Sequence, residues 1–474
     1  MNAIADQTLR QRFSDETRRV LRLAGPLVVG QFAIMGMGVT DVVVSGRAGT
    51  NDLAAVTIGF YLWDLSMLFI FGVVLANSAL IGHHYGGGKS ERIRRQFQQC
   101  LWLSLPLALA SGLMLYIAMR GVTRLDVSPE VARIAAGYLL PTIVTSMLMP
   151  FMVTLRTTCE GLGLMRPVMW LTMGAFLVNI PLDYGLVTGA FGLPRLGGAG
   201  CGWATLLSFL TMMLCWVVYF SRSPALRSYR LWSEFGPPVW RDIRAILSLG
   251  MPIGLSLLAV GGFFAIVPLL MAGLGAVAVA GHAVAITVDT LMLTIPLGVG
   301  QAMSVRVAHQ LGAGEPHRAR EVCITGMSLL VSIALLQAAV MVAFRDPITW
   351  LFSNDPAVRE LGAGLLLFAA AYRLFDSVQV GAGMALRGYQ DTRVSSAIDI
   401  SAYWLFGLPL CYGLGLGTLW GEPLGVRGFW IGMVVAIALA AILIAWRLVR
   451  ISARFIRQPG LRLPDTAGME IHDT

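Results

Sequence analysis

Charged residues are scarce in this 474-residue chain: Asp, Glu, Lys and Arg make up 13% of it, whereas 56% is hydrophobic. A soluble protein of this length needs more polar side chains to cover its surface. Six scattered cysteines without a CxxC pair or metal-ligand spacing argue against disulfides and zinc. The GxxxxGK[ST] order of an ATP-binding loop is also missing, because Gly86–Lys89 and Gly312–Glu315 only resemble it at span ends, where turns are expected. An ion gradient is therefore the expected energy source.

Long apolar runs recur along the chain and predict an all-α membrane protein with twelve transmembrane helices. The abundant glycines fit such helices, because small residues let helix backbones approach closely. The predicted spans cover residues 20–45, 53–81, 98–119, 134–155, 168–190, 198–220, 246–271, 278–305, 321–343, 360–385, 395–416 and 426–447.

The positive charges fall mainly on one side of these spans. Of the 35 Lys and Arg residues, 26 lie in the termini and in every second loop. Such a bias marks the cytoplasmic side, so both termini are predicted to be cytoplasmic. The bias also explains the net charge of +9, so no nucleic-acid partner is expected. The basic N-terminal segment is followed by an apolar run too long for a cleaved signal peptide.

The two halves of the chain repeat each other. A shift of 226 residues relates Pro26 to Pro252, Gly72 to Gly298 and other positions, and nearby shifts extend the register over about 180 residues. Two parallel six-helix bundles related by a pseudo-two-fold along the membrane normal are a carrier architecture, in which a ligand binds in a central cleft. The predicted parts are a basic cytoplasmic segment, an N-lobe, a cytoplasmic linker, a C-lobe and a cytoplasmic tail, at residues 1–19, 20–220, 221–245, 246–450 and 451–474.

Acidic residues inside spans are costly and usually functional. Asp41 lies deep in the first span without a basic neighbour, so its neutral, protonated form is favoured and a proton carrier is indicated. Asn179 and Asp183 share a face of the fifth span beside Pro181, and Thr205 on the sixth adds a hydroxyl. This oxygen-rich set suits H⁺ or Na⁺. The alternatives are a hydrogen-bonded core acid at Asp41 and a helix cap at Asn179 and Asp183.

In the second half, Tyr372 and Asp376 are also four residues apart on one helix. Asp376 is therefore a second candidate for ion coupling, but it lies three residues after Arg373 and can instead be its salt-bridge partner. Other span residues offer aromatic rings, thioethers and an amide, which suit flat organic cations and drugs, although most such residues only pack or face lipid. These substrate-binding candidates are Gln31, Met35, Tyr61, Trp63, Phe263, Phe264 and Met292.

Several motifs resemble the multidrug and toxic compound extrusion (MATE) family, most closely its bacterial NorM-type subgroup. They include Gly-Val-Thr-Asp at 38–41, Asn-Ile-Pro-Leu-Asp-Tyr at 179–184, Asp-Ser-Val-Gln at 376–379 and Leu-Arg-Gly-Tyr-Gln-Asp-Thr-Arg at 386–393. The resemblance covers about residues 20–450. It implies a multi-pass exporter of the bacterial inner membrane that exchanges drug for H⁺ or Na⁺, with Asp41, Asn179, Asp183 and Thr205 in one coupling site and Tyr372 and Asp376 in another.

One position departs from the NorM-type pattern. Val260 stands where such proteins usually carry a glutamate in the seventh span, whereas Asp289 appears in the eighth. We therefore expect the missing acid to have moved to Asp289, in the same lobe as Asp376, where the pair binds a cation or shares a proton. If Asp289 instead faces the cleft, it is expected to attract the cationic drug directly. The remaining alternative is a local cap or a hydrogen bond to Thr290.

These features favour an ion-coupled antiporter that works by alternating access over two other functions. A flippase for a lipid-linked precursor needs several cations to hold a pyrophosphate, but the in-span charges are mainly acidic. An intramembrane enzyme needs a facing nucleophile–base pair or metal ligands, and none is visible in the sequence. The protein is expected to be a monomer in membrane lipid, without an enzymatic activity and without a cofactor or metal other than its coupling ion, H⁺ or Na⁺.

Overall fold

Helices dominate the computed structural model, which describes residues 2–122, 124, 128–417 and 421–458, with side chains from residue 14 onwards. No strand occurs among these residues. We number the long helices α1 (Asn2–Ala48), α2 (Thr50–Gly86), α3 (Ser90–Val122), α4 (Pro129–Gly161), α5 (Met165–Thr188), α6 (Ala199–Arg222), α7 (Trp240–Met271), α8 (Ala276–Gly312), α9 (Pro316–Ala343), α10 (Pro356–Gly388), α11 (Thr392–Leu416) and α12 (Gly425–Arg457).

The twelve predicted spans are confirmed, since a helix long and apolar enough to cross a membrane lies at the position of each span. Most helices extend beyond the apolar run that predicts them, as α2 and α12 do by several residues at their C-termini. Hydropathy detects only the apolar part of a helix, whereas the backbone remains helical into the polar ends. The backbone of the predicted N-terminal segment is continuous with α1. Most of the predicted tail, residues 459–474, lies outside the described residues.

Local signals explain where several helices begin and end. The Ser128 hydroxyl accepts a hydrogen bond from the Val131 amide at the start of α4, and the Asp355 carboxylate accepts one from Ala357 at the start of α10. After α2 and α8, Gly88 and Gly314 have φ values of 67° and 76°, a left-handed conformation that glycine adopts at little cost. These glycines lie in the two glycine-rich segments, which are turns as expected.

The described chain divides into two compact units. The first unit contains Val29–Gly254, and the second contains the described residues before Val29 and after Gly254. Helices α1 and α7 therefore each contribute to both units, and the two division points are equivalent in the sequence repeat. The predicted lobe boundaries stay a prediction.

The sequence repeat also appears in the packing inside each unit. In the first unit a Cβ on Gly72 of α2 would clash with the backbone at Gly254 of α7, and in the second a Cβ on Gly298 of α8 would clash with Val28 of α1. The 226-residue shift relates Gly72 to Gly298 and Val28 to Gly254. Both contacts depend on the lack of a side chain, as is typical of close helix packing in membranes.

Candidate functional site

Three helices of the first unit meet at small residues on α6. A Cβ on Gly200 would lie 2.8 Å from the Leu186 carbonyl oxygen of α5, and one on Gly202 would clash with the Tyr138 carbonyl oxygen of α4. Without side chains at these positions, α6 approaches both neighbours closely. Cys201, between the two glycines, is consequently fully buried.

Two predicted acids come together beside Cys201. Ligand atoms of Asp41 on α1, Asp183 on α5 and Cys201 lie within 4.8 Å of one another, and all three residues are buried. The Cys201 thiol also approaches the Asp41 main-chain carbonyl oxygen, at 3.7 Å. The structure thus brings together residues that are 142 positions apart in the sequence, which spacing alone cannot show.

Five buried side-chain atoms at this cluster lack a well-aligned hydrogen bond within the described residues. They are Oδ1 of Asp41, both carboxyl oxygens of Asp183, and both amide atoms of Asn179, which lies one turn before Asp183 on α5. Buried polar atoms are normally paired, so an unpaired group points to a ligand or ion. Two neighbouring carboxylates also repel each other when both are charged. A proton held by one acid, or a cation between them, removes both penalties.

The remaining members of the predicted site lie on the same helices. Thr205 is buried on α6, one turn after Cys201, and Pro181 lies inside α5. Because proline has no amide hydrogen, the Leu177 carbonyl lacks its usual helical donor. No sequence motif predicted that Cys201 lies beside the acids. Its four-residue spacing from Thr205 nevertheless puts both residues on one face of α6.

The second unit has a different arrangement, in which Arg373 of α10 connects two acids. Its Nε and Nη2 donate to Oδ1 and Oδ2 of Asp289 on α8, at 2.9 and 2.6 Å. Its Nη1 lies 3.0 Å from Oδ2 of Asp376, at ion-pair distance but without hydrogen-bond alignment. Asp289 is therefore buried near Asp376, with Arg373 in contact with both, and its role as a displaced coupling acid stays a prediction. Both carboxylates are engaged by Arg373, and Thr290 instead donates to the Ile286 carbonyl.

Further polar contacts surround this group. The hydroxyls of Tyr372 and Tyr403 are 3.1 Å apart. Asp399 of α11 accepts hydrogen bonds from Ser256 on α7 and Gln379 on α10, at 2.8 and 2.6 Å. A π-helical segment at Ser401–Gly407 interrupts α11 just after Asp399, and such segments often occur at functional sites. Tyr403 lies in that segment, and no motif in the sequence predicted its contact with Tyr372.

The predicted substrate-binding residues have different environments in the two units. Tyr61 is 67% exposed, and Trp63 is half-buried with its ring edge against Phe209. Gln31 and Met35 are half-buried on α1, and Phe264 and Met292 are half-buried in the second unit. Phe263 is fully buried and its ring packs against Tyr403. This core position does not favour direct contact between Phe263 and a drug.

The sequence profile of the MatE family matches this chain twice, at residues 26–185 and 252–413. The two matches coincide with the two repeated halves. Multidrug resistance protein PmpM of Pseudomonas aeruginosa is 38% identical over 448 residues, which cover 94% of each chain. Multidrug resistance protein MdtK of Pectobacterium atrosepticum is 36% identical over 455 residues, covering 96% of this chain and 98% of that protein.

Solved structures of MATE transporters have the same fold. The eukaryotic MATE transporter AtDTX14 superposes with a TM-score of 0.83 at 20% identity, covering 93% of this chain and 98% of that one. A multidrug resistance MATE family transporter of the MOP superfamily, in an outward-facing conformation, also gives a TM-score of 0.83, at 18% identity, covering 94% and 97%. At these identities the likeness concerns the fold alone.

Proposed function

This chain belongs to the MatE family, and on that premise we propose that it is an antiporter that exports cationic or amphipathic drugs in exchange for H⁺ or Na⁺. It is a multi-pass membrane protein with twelve candidate spans. Its relatives PmpM and MdtK are named for multidrug resistance and align over nearly their full length. Together these findings favour drugs as the exported substrate.

The observation that carries the proposed ion coupling is the buried Asp41–Asp183 pair. Its unpartnered oxygens and the unpartnered amide of Asn179 form a small oxygen-rich site. Oxygen ligands suit a proton or Na⁺ better than a soft metal. Because the two acids lie on α1 and α5, an ion at this site acts on two different helices.

Charge repulsion supplies a mechanism for coupling. With one H⁺ or Na⁺ bound, the net charge of the pair falls from minus two to minus one, so the direct repulsion between the two acids is relieved and α1 can remain close to α5. When the ion leaves, two charged groups in an apolar environment repel each other and favour a conformation with α1 displaced or the acids hydrated. An ion that binds one conformation more tightly thereby shifts the equilibrium between them, as alternating access requires.

The charge distribution and the bacterial relatives support a proposal for the membrane and the orientation. We assign the protein to the bacterial inner membrane, with both termini in the cytoplasm, because Arg and Lys concentrate in the termini and alternate loops. A monomer suffices for this mechanism, because both repeated halves are present in one chain. Organic cations and drugs are the proposed partners, within membrane lipid.

Dye transport in proteoliposomes tests the proposal. The purified protein is reconstituted, and uptake or release of a fluorescent organic cation is followed with a pH gradient alone, a Na⁺ gradient alone, both, or neither, at clamped membrane potential. We expect dye to move against its own gradient with at least one of the two ion gradients.

Two matched variants define the control. Asp41→Asn should lower gradient-driven dye movement by about tenfold or more, whereas Asp346→Asn, at an exposed acid on the short helix Arg345–Phe352, should not. Dye transport that responds to neither gradient in the wild-type protein would contradict ion coupling. Equal transport by Asp41→Asn at matched reconstitution would remove Asp41 from the mechanism.

A further inference from the structure

Arg373 is a fully buried cation enclosed by acids of the second unit. Its side chain has no exposed surface, and Asp289 and Asp376 are nearly as buried. The guanidinium uses two N–H groups on Asp289 and directs a third towards Asp376. A planar guanidinium fits a carboxylate in this two-bond geometry and stays charged when buried.

The neighbouring groups do not supply another cation to these acids. Tyr372 and Tyr403 hydrogen-bond to each other, and Asp399 is held by Ser256 and Gln379. Val260 and Phe264 pack against the apolar cluster that includes Tyr372. With both acids ionised, the trio of Asp289, Arg373 and Asp376 carries one net negative charge, whereas the acids alone would carry two.

We propose that Arg373 is a tethered cation that occupies the acidic site of the second unit and thereby excludes Na⁺ from it. A free ion between the two acids would compete with the guanidinium, which hydrogen-bonds both Asp289 oxygens and lies at ion-pair distance from Asp376. Displacing the guanidinium would leave a buried charge unpaired. Arg373 is then a specificity-determining residue: it restricts ion exchange to Asp41 and Asp183 in the first unit. This inference rests on the proposed antiport function.

The two units thus differ in how their buried acids are compensated. In the first unit Asp41 and Asp183 have no basic partner among the described residues, and Oδ1 of Asp41 and both carboxyl oxygens of Asp183 are without a hydrogen bond. In the second unit the counter-charge is part of the chain and cannot leave during a transport cycle. A permanently filled site cannot couple an ion gradient to transport.

Removing the tethered charge should create a Na⁺ site. The test uses the full-length protein carrying Asp41→Asn, which disables the site of the first unit, and compares three forms: Arg373 intact, Arg373→Gln, and Arg373→Gln with Asp289→Asn. The third form has one acid and no arginine, so it restores the original net charge of the trio. Apparent melting temperature is measured in detergent in NaCl and in choline chloride of equal ionic strength.

We expect Na⁺ to raise the melting temperature of the Arg373→Gln form by about 2 °C over choline, with saturation, because the ion binds only the folded state. The other two forms should show the same melting temperature in both salts. If Arg373→Gln yields no folded protein in choline, recovery in NaCl supports the proposal, and equal failure in both salts contradicts it.

A Na⁺-specific rise with Arg373 intact would also overturn the proposal, as would a rise of equal size in the charge-matched form. The melting measurement does not depend on transport. The Na⁺-dependent rise in melting temperature can be measured even in a protein that moves no dye. Failure of this inference is therefore distinguishable from failure of the proposed function.

Discussion

At the scale of single residues, the proposed coupling depends on Asp41 and Asp183 acting as one unit. Their carboxyl oxygens and the Cys201 sulfur lie within 4.8 Å of one another, so one ion or proton can satisfy both acids. Neither acid alone provides the repulsion that changes with ion occupancy. The effects of removing them should therefore not add.

A double-mutant cycle tests this dependence. Asp41→Asn should lower ion-driven dye export by about tenfold or more, and adding Asp183→Ala should change the residual rate by less than about twofold, because groups acting together are non-additive. Initial export rates at matched protein amounts give the comparison. A second loss equal to that of Asp183→Ala alone would mean that the acids serve separate sites.

A second residue-scale prediction concerns the buried tyrosine pair. Tyr372→Phe should destabilise the protein by about 1–3 kcal/mol, because it leaves the buried Tyr403 hydroxyl without its partner. Tyr372→Phe with Tyr403→Phe should cost less than the sum of the two single changes. Thermal unfolding of the four forms in detergent measures this coupling, and strictly additive losses would show that the hydroxyls do not depend on each other.

The sequence predicted the candidate residues of the first unit better than those of the second. Asp41, Asn179 and Asp183 were identifiable because each is polar within an apolar run, and their environment proved uniformly buried. The pairing of Arg373 with Asp289 was not predicted, because the two are 84 positions apart on different helices. The three-residue spacing predicted only the contact between Arg373 and Asp376, and this contact is less well aligned than the one between Arg373 and Asp289.

At the scale of elements, glycines determine how closely the helices pack. Gly202 faces the Tyr138 backbone, whereas Gly174 of α5 has no atom within 4 Å of where a Cβ would lie. The apolar runs predicted that α4, α5 and α6 exist, but not which of their glycines are in contact. Helix ends were also missed by several residues, because the polar turns that complete a helix carry no hydropathy signal.

Paired glycine substitutions test this packing. Gly202→Ala should lower the apparent melting temperature, because its methyl group would clash with backbone that cannot rotate away. Gly174→Ala should leave it unchanged or raise it, since alanine favours a helix by roughly 0.5–1 kcal/mol over glycine. Equal effects of the two substitutions would contradict the close approach of α6 to α4.

At the scale of the whole molecule, the two halves share a repeated sequence pattern but differ in their buried charged residues. The repeat was predictable from sequence because repeated prolines and glycines keep register, and the two family matches coincide with it. The charges do not repeat: the first unit has an acid pair without a basic partner among the described residues, and the second has two acids that share one cation, Arg373. Ion coupling through one unit is therefore the central claim.

Dye-driven ion movement tests that claim most directly. Proteoliposomes are prepared with equal pH and Na⁺ on both sides, a dye gradient is imposed, and internal pH and ²²Na⁺ are recorded at clamped membrane potential. We predict that H⁺ or Na⁺ moves opposite to the dye in the wild-type protein and that this counter-movement is absent in Asp41→Asn. Dye flux without counter-movement of either ion, or counter-movement that persists in Asp41→Asn, would contradict the account.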